Sequence, residues 1–182
     1  MLIIIWLAMP QENKNRFRST WDPSAGTEVA QKDAEGRIEG YKAGIKMFER
    51  FPLTGVGIGN FIEYRVKFVD GVPLNAHNLA GQVLGETGIV GGVTFILMVF
   101  VALVNCHKLR VLARKRPFDR PLDVLLGLGP ACRDAIILLA FEGLFSHNLY
   151  RFNWLWLAAF SSLALQFAKQ RITKFGGPPK EL

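Results

Sequence analysis

Long uncharged apolar runs alternate with mixed polar stretches along the chain. The first complete run, residues 88–106, contains 19 residues without a charge, which is long enough to cross a bilayer as a helix. A second run, 131–149, is interrupted by three charged residues, and a third, 152–168, has none. This pattern predicts an all-α, multi-span integral membrane protein with about three full spans.

Two further segments complete the predicted organisation. Residues 1–9 are apolar but too short to span a bilayer, so we interpret them as the remnant of a preceding span or, alternatively, of a signal sequence. Residues 10–87 are polar, with acidic and basic residues in balance. Within them an apolar stripe at helical spacing predicts an amphipathic helix over 37–51, which Pro52 ends.

The net charge of +7 is concentrated in two segments. The loop 107–130 and the tail 169–182 are rich in lysine and arginine, so the positive-inside rule predicts that both are cytoplasmic. The large segment 10–87 is then extracytoplasmic. Because the positive charge is explained as a topology signal, we do not expect nucleic acid as a partner.

Several residues outside the apolar runs carry candidate chemistry. Gly55, Gly57 and Gly59 alternate in PLTGVGIGNF, which favours a close-packed turn over an anion-binding nest of main-chain amides. Two His-Asn pairs, at His77 and His147, are both predicted near the extracytoplasmic surface. No Cys/His cluster has the spacing of a metal site.

Glu142 is the remaining polar candidate, because it lies inside the second predicted span. A carboxylate at such a depth is costly and usually faces a bundle interior or a wet cavity. The alternative is a carboxylate that is hydrogen-bonded to a neighbouring helix, and the residues do not choose between the two.

The order of these features is more specific than any one of them. Arg37 opens GRIEGYKAGIKMFERFPLTGVGIGNF, and AHNLAGQVLGETGIVGG follows and runs into an apolar span. This order of Arg, P-x-x-G-x-G, H-N and E-x-G-x-x-G resembles the O-antigen ligase and O-antigen polymerase family over about residues 36–105. The ending LLAFEGLFSHNLYRFNWLWLAAF is similar to the last spans of that family, so the chain resembles the C-terminal portion of such an enzyme.

The resemblance implies a GT-C-like membrane fold in the bacterial inner membrane and a role in lipopolysaccharide biosynthesis. It implies metal-independent transfer of a glycan, without a cofactor, from a polyprenyl diphosphate carrier to lipid A core or another glycan. By position, Arg37 matches the arginine that engages the diphosphate, and His77 matches the essential histidine. The motif framework is matched by Gly55, Gly57, Gly59, Glu86 and Gly88.

The chemistry of the side chains agrees with these roles. A neutral histidine accepts a proton near pH 7, and the arginine fork binds phosphate oxygens and stays charged. Direct displacement by the acceptor hydroxyl would invert the anomeric centre. Further substrate-binding candidates are Arg65, Lys67 and Asn78, although exposed basic residues are the simpler interpretation of the first two.

Two alternatives to this function stay open. A protein oligosaccharyltransferase of the same family would use a serine or threonine hydroxyl as acceptor, and a non-catalytic membrane fragment would have no active site. Between the two histidines we expect His77, and not His147, to be catalytic. His147 lies at the end of a predicted span whose neighbour returns after a few residues, which leaves little room for two glycans.

Overall fold

The computed structural model describes residues 6, 9–18, 28–114 and 120–175. Most of the predicted span remnant 1–9 and the end of the tail beyond residue 175 therefore lie outside the described residues. The described part of the chain is helical and contains no strand, so the all-α prediction is confirmed there. Its helices are α1 (Gln11–Arg18), α2 (Glu28–Arg50), α3 (Phe61–Phe68), α4 (Leu79–Arg114), α5 (Arg120–Gly143) and α6 (Asn153–Phe175).

The longest helix, α4, is kinked at Gly88, whose φ of 61° and ψ of −158° are not helical. Helix kinks of this kind commonly occur at glycine. The predicted span 88–106 coincides with the part of α4 that begins at the kink. Large apolar side chains stay exposed along it, including Ile96 at 66% and Phe100 at 61%, as expected for a surface that faces lipid.

Two helical segments in the described part of the chain are long and apolar enough to cross a membrane, Leu79–Ala113 and Asp123–Gly143. The third predicted span, 152–168, is helical within α6. Polar residues such as Asn153, Ser162 and Gln166 interrupt its apolar surface, and α6 is not among the two segments. Its passage through a membrane stays a prediction.

Three predicted boundaries differ from the structure. The second span was expected to reach residue 149, but α5 ends at Gly143 and a turn follows. The amphipathic helix begins at Glu28 instead of Arg37, so Arg37 lies inside α2 and not at its start. The basic loop 107–130 is largely helical, because α4 continues to Arg114 and α5 begins at Arg120.

Helices α4, α5 and α6 pack together around a core of apolar side chains. Ala102, Ile136, Leu139 and Trp154 are buried there in one cluster, and the ring of Phe95 packs edge-on against Trp154 with centroids 5.0 Å apart. Since consecutive helices run in opposite directions, the Gly88 kink, the C-terminus of α5 and the N-terminus of α6 lie at one end of the bundle. We call this the kink end.

Helix α2 packs on the start of α4 through glycines that permit close backbone contact. A Cβ atom on Gly40 would lie 2.2 Å from the carbonyl oxygen of Ala76, and one on Gly44 would lie 2.3 Å from that of Gly81. No side chain fits into such a gap. The packing therefore holds α2 against the backbone that leads into His77 and sets the position of the candidate site.

Candidate functional site

The glycine-rich loop after α2 is bonded to both sides of the α4 kink. The amides of Val56 and Gly57 donate to the carbonyls of Gly85 and Glu86 at 2.9 and 3.0 Å, and the amide of Ile89 donates to Pro52 at 2.8 Å. Main-chain amides used in this way do not form an anion nest. The structure therefore supports the interpretation of this motif as a close-packed turn.

Positive backbone angles explain why the loop needs its three glycines. Gly55, Gly57 and Gly59 have φ values of 64°, 95° and 81°, a region that other residues adopt only at a cost. A Cβ atom on Gly55 would also lie 2.3 Å from the carbonyl carbon of Glu86. The three glycines therefore form a turn that has no space for a Cβ atom at Gly55.

Glu86 is the buried centre of this turn, with 1% of its surface exposed. Its Oε1 accepts a hydrogen bond from the amide of Phe61 at 3.2 Å, and its Oε2 accepts one from the hydroxyl of Tyr150. The same hydroxyl accepts a bond from the amide of Gly59 at 2.9 Å. One carboxylate thus joins the glycine loop, the start of α3 and the turn between α5 and α6.

Three polar residues at the start of α4 are spaced one helical turn apart and therefore lie on one face. All three bind the turn after α5. Asn78 donates to the carbonyl of Leu144 at 3.3 Å, and its Oδ1 accepts from the Gly81 amide at 3.0 Å, which makes it the N-cap of α4. Gln82 accepts from the Leu149 amide at 3.4 Å, and Glu86 is the third. We call Asn78, Gln82 and Glu86 the polar ladder.

The two histidines of the sequence motifs meet at the kink end. The rings of His77 and His147 lie edge to face, with centroids 5.2 Å apart and planes at 84°. The turn that replaces the last part of the predicted span makes this contact possible. His77 also has a φ of 47°, a left-handed conformation that is uncommon for a residue with a side chain.

Arg37 lies at the same end of the bundle. It is exposed on α2 one turn before Gly40, which contacts the backbone of Ala76 beside His77. Its guanidinium stands 5.6 Å above the ring of Phe145, two residues before His147. Gly40 and Phe145 thus place Arg37 close to the two chain segments that carry the histidines.

Arg65 and Lys67 are each bound to an acidic partner. Arg65 is 1% exposed, and its guanidinium binds the Asp70 carboxylate at 2.9–3.1 Å and the Leu74 carbonyl at 3.2 Å. Lys67 pairs with Glu63 at 2.6 Å on the exposed face of α3. The structure gives Arg65 a role in holding the loop after α3, and the sequence offered no signal for its burial.

The surroundings of the histidine pair change the pKa of His147. Burial, the nearby His77 and the positive charge of Arg151 each lower the pKa of His147 below its ordinary value. Arg151 is itself paired with Glu142 at 2.8 Å, with both side chains partly exposed. Glu142 therefore binds an arginine of the turn that follows α5.

Residues that the sequence analysis missed include Tyr150, Gln82 and Phe145. Of these three, only Gln82 could have been found from the sequence, because it is four residues from both Asn78 and Glu86 and so shares their helix face. In the described part of the chain, no group of three or more histidine, cysteine, aspartate or glutamate residues could hold a metal ion.

The described residues form a helical bundle with two membrane-compatible helices and with His77 and His147 in contact at one end. A comparison with protein families gives its class. The family model described as O-antigen ligase matches residues 1–96, which include the polar segment, the glycine loop, His77 and the start of α4. The chain belongs to the O-antigen ligase family. No curated protein and no solved structure gives a match.

Proposed function

We propose that the protein transfers a glycan from a polyprenyl diphosphate carrier to an acceptor hydroxyl, with His77 and Arg37 as its catalytic residues. Membership of the O-antigen ligase family supports a lipid-linked glycan and an acceptor as substrates in general. The observation that carries the proposal is the contact between the two histidine rings at the kink end, with the Arg37 guanidinium over Phe145, two residues before His147.

The reaction needs one group that accepts the proton of the attacking hydroxyl and one stable cation that binds the diphosphate. The acceptor oxygen attacks the anomeric carbon and forms the new glycosidic bond while its proton passes to a ring nitrogen of His77. The bond from the anomeric carbon to the diphosphate breaks, and its electron pair leaves on the diphosphate oxygen. Attack opposite the leaving group inverts the anomeric centre, and the two residues carry out this step without a metal.

Arg37 stabilises the leaving diphosphate. Its guanidinium stays protonated and presents several donors to phosphate oxygens. The recorded contact of the side chain is with the face of Phe145, whereas the donors of Arg65 are bound by Asp70 and a backbone carbonyl. Of these two arginines, Arg37 is therefore the one that has donors for a substrate.

An apolar groove beside the kink end suits a lipid-linked donor. It has a volume of about 520 Å³ and lies between α4 and the start of α6, next to Tyr150 and Arg151. Most of its lining is apolar, including Phe95, Met98 and Leu155. An isoprenoid chain in this groove would keep its diphosphate at the same end of the bundle as Arg37.

The orientation that we propose puts the kink end on the extracytoplasmic face of a bacterial inner membrane. Lysine and arginine are frequent at the opposite ends of the spans, which favours the cytoplasm for those ends. A cysteine at the exposed Glu63 of α3 tests this, because both native cysteines are buried. We expect a membrane-impermeant maleimide to label it in intact spheroplasts. Labelling only after the membrane is opened would contradict the orientation.

Arg37→Ala tests the site itself, and Lys42→Ala on the exposed surface of the same helix is the matched control. Loss of one electrostatic contact to a developing charge lowers the rate by about 10²–10³. We expect that loss for Arg37→Ala, little rescue by Arg37→Lys, and near-normal transfer for Lys42→Ala. The assay is transfer from a purified polyprenyl diphosphate glycan at matched protein levels. Wild-type rates for Arg37→Ala would mean that another residue holds the diphosphate.

The acceptor is proposed to be a sugar hydroxyl on lipid A core or on another glycan. The same assay with a serine- or threonine-containing protein as acceptor distinguishes this from protein oligosaccharide transfer. A non-catalytic protein would transfer to neither acceptor.

A further inference from the structure

His77 has an unusual backbone conformation for a residue whose ring must be held accurately. Its φ of 47° is in the left-handed region, and such strain persists only where the surroundings impose it. The residue before it, Ala76, is packed against Gly40, and the residue after it, Asn78, caps α4. The backbone of His77 is therefore fixed on both sides, and its ring stands outside the helix.

The ring of His147 provides a contact for the ring of His77. The two are packed edge to face with centroids 5.2 Å apart, a preferred arrangement of aromatic rings. The contact connects residues 70 positions apart in the chain. It restricts rotation of the His77 side chain, which the backbone alone leaves free.

Hydrogen bonds on the residues after His147 hold its ring in place. Asn148 is buried, donates to the Leu139 carbonyl at 2.8 Å and accepts from the Trp154 indole at 3.1 Å. The Leu149 amide binds Gln82 at 3.4 Å in the polar ladder. The turn is thus tied to α5, α6 and α4, and His147 has a rigid support.

Burial and the charges around His147 favour the neutral form of its ring, because they lower its pKa. The titratable or charged groups that face it are His77 and Arg151, and both act with burial to lower its pKa. Glu142 pairs with Arg151. A neutral His147 adds no positive charge next to His77, whose ring must also be neutral to accept a proton.

We propose that His147 is a positioning residue, which holds the ring of His77 toward the acceptor hydroxyl through the edge-to-face contact. This inference rests on the proposed function, since it assigns the proton transfer to His77. It keeps His77 as the catalytic histidine and gives His147 a separate, supporting role. Because the role belongs to the aromatic ring, phenylalanine should replace His147 and alanine should not.

The test compares His147→Ala and His147→Phe in the full chain in lipid nanodiscs. His107→Ala is the matched control, because this third histidine of the chain is exposed in α4 far from the kink. Small displacements of a catalytic group lower kcat by about 10²-fold. We expect such a loss for His147→Ala with KM for the donor unchanged, whereas His147→Phe and His107→Ala keep most of kcat.

A second measurement reads the contact without the reaction. Diethyl pyrocarbonate modifies accessible imidazoles, and mass spectrometry gives the rate at His77. We expect faster modification of His77 in His147→Ala and the wild-type rate in His147→Phe.

Three results would overturn the inference. The first is that His147→Ala has the wild-type kcat and the wild-type modification rate at His77. The second is a kcat for His147→Phe as low as that of His147→Ala, and the third is an unchanged modification rate of His77 in His147→Ala. If the wild-type protein transfers no glycan, the proposed function fails. The modification rates still decide whether His147 holds the His77 ring.

Discussion

Gly88→Ala is predicted to destabilise the fold at the point where the glycine loop meets α4. The backbone at this position, with φ 61° and ψ −158°, is essentially restricted to glycine, and a residue with a side chain there costs about 1–3 kcal/mol. The added Cβ would also lie 2.6 Å from the carbonyl group of Leu53 and 2.7 Å from the amide nitrogen of Gly55.

These neighbours are backbone atoms, so the loop itself must move. Overpacking of this kind costs about 1–3 kcal/mol, and the movement also weakens the loop hydrogen bonds to Ile89 and Val90. Since the strain and the overpacking act together, the expected decrease in the free energy of unfolding is about 2–6 kcal/mol. Transfer should fall with it, because the loop supports Glu86.

The assay is unfolding of the purified protein in detergent, followed by helical circular dichroism. Gly92→Ala is the matched control, four residues further along the same helix. Its Cβ would lie 3.6 Å from a Val83 methyl group, an ordinary contact, and replacing a helical glycine by alanine gains about 0.5–1 kcal/mol. Equal stability of Gly88→Ala and the wild type would refute the account of the kink.

Three further predictions concern polar contacts. Tyr150→Phe removes a donor from a buried carboxylate and should lower the free energy of unfolding by about 1–3 kcal/mol, measured in the same assay; no loss would mean that this bond does not support the turn. The hydrogen bonds from Arg65 hold the pKa of Asp70 below its ordinary value of 3.8, although partial burial acts in the opposite direction. The contribution of ionised Asp70 to stability should therefore be lost as the pH falls below 3.8. Acid unfolding curves of the wild type and Asp70→Asn test this, and identical curves would contradict it. Glu142→Gln breaks a partly exposed ion pair with Arg151, worth about 0–1 kcal/mol, so transfer and expression should stay near normal; inactivation at normal expression would assign Glu142 to the site.

The helical class and the first span could be predicted because they depend on local pattern. The 19 uncharged residues of 88–106 form a helix in almost any apolar setting, and the three alternating glycines favoured a tight turn. The end of α5 could not be predicted in this way. Residues 144–149 mix apolar side chains with Ser146, His147 and Asn148, and the pattern does not show that buried Asn148 binds the Leu139 carbonyl at the end of the helix.

The candidate site was predicted only in part, because its contacts join distant segments. The motif order drew attention to Arg37 and His77, but no pattern shows that a ring 70 residues further on packs against His77. In the sequence, Arg65 resembled an exposed basic residue, because only the fold of the loop after α3 brings Asp70 to its side chain. Burial of a charge is a property of tertiary packing, which composition does not record.

The central claim is that His77 accepts the proton of the acceptor hydroxyl during glycan transfer. The most direct measurement is single-turnover transfer from a polyprenyl diphosphate glycan by His77→Ala and by the control His107→Ala, in the reconstituted full-length protein. A general base contributes about 10²–10⁴ to the rate, so His77→Ala should fall to near background while His107→Ala retains activity. Transfer by His77→Ala at the control rate would contradict the account.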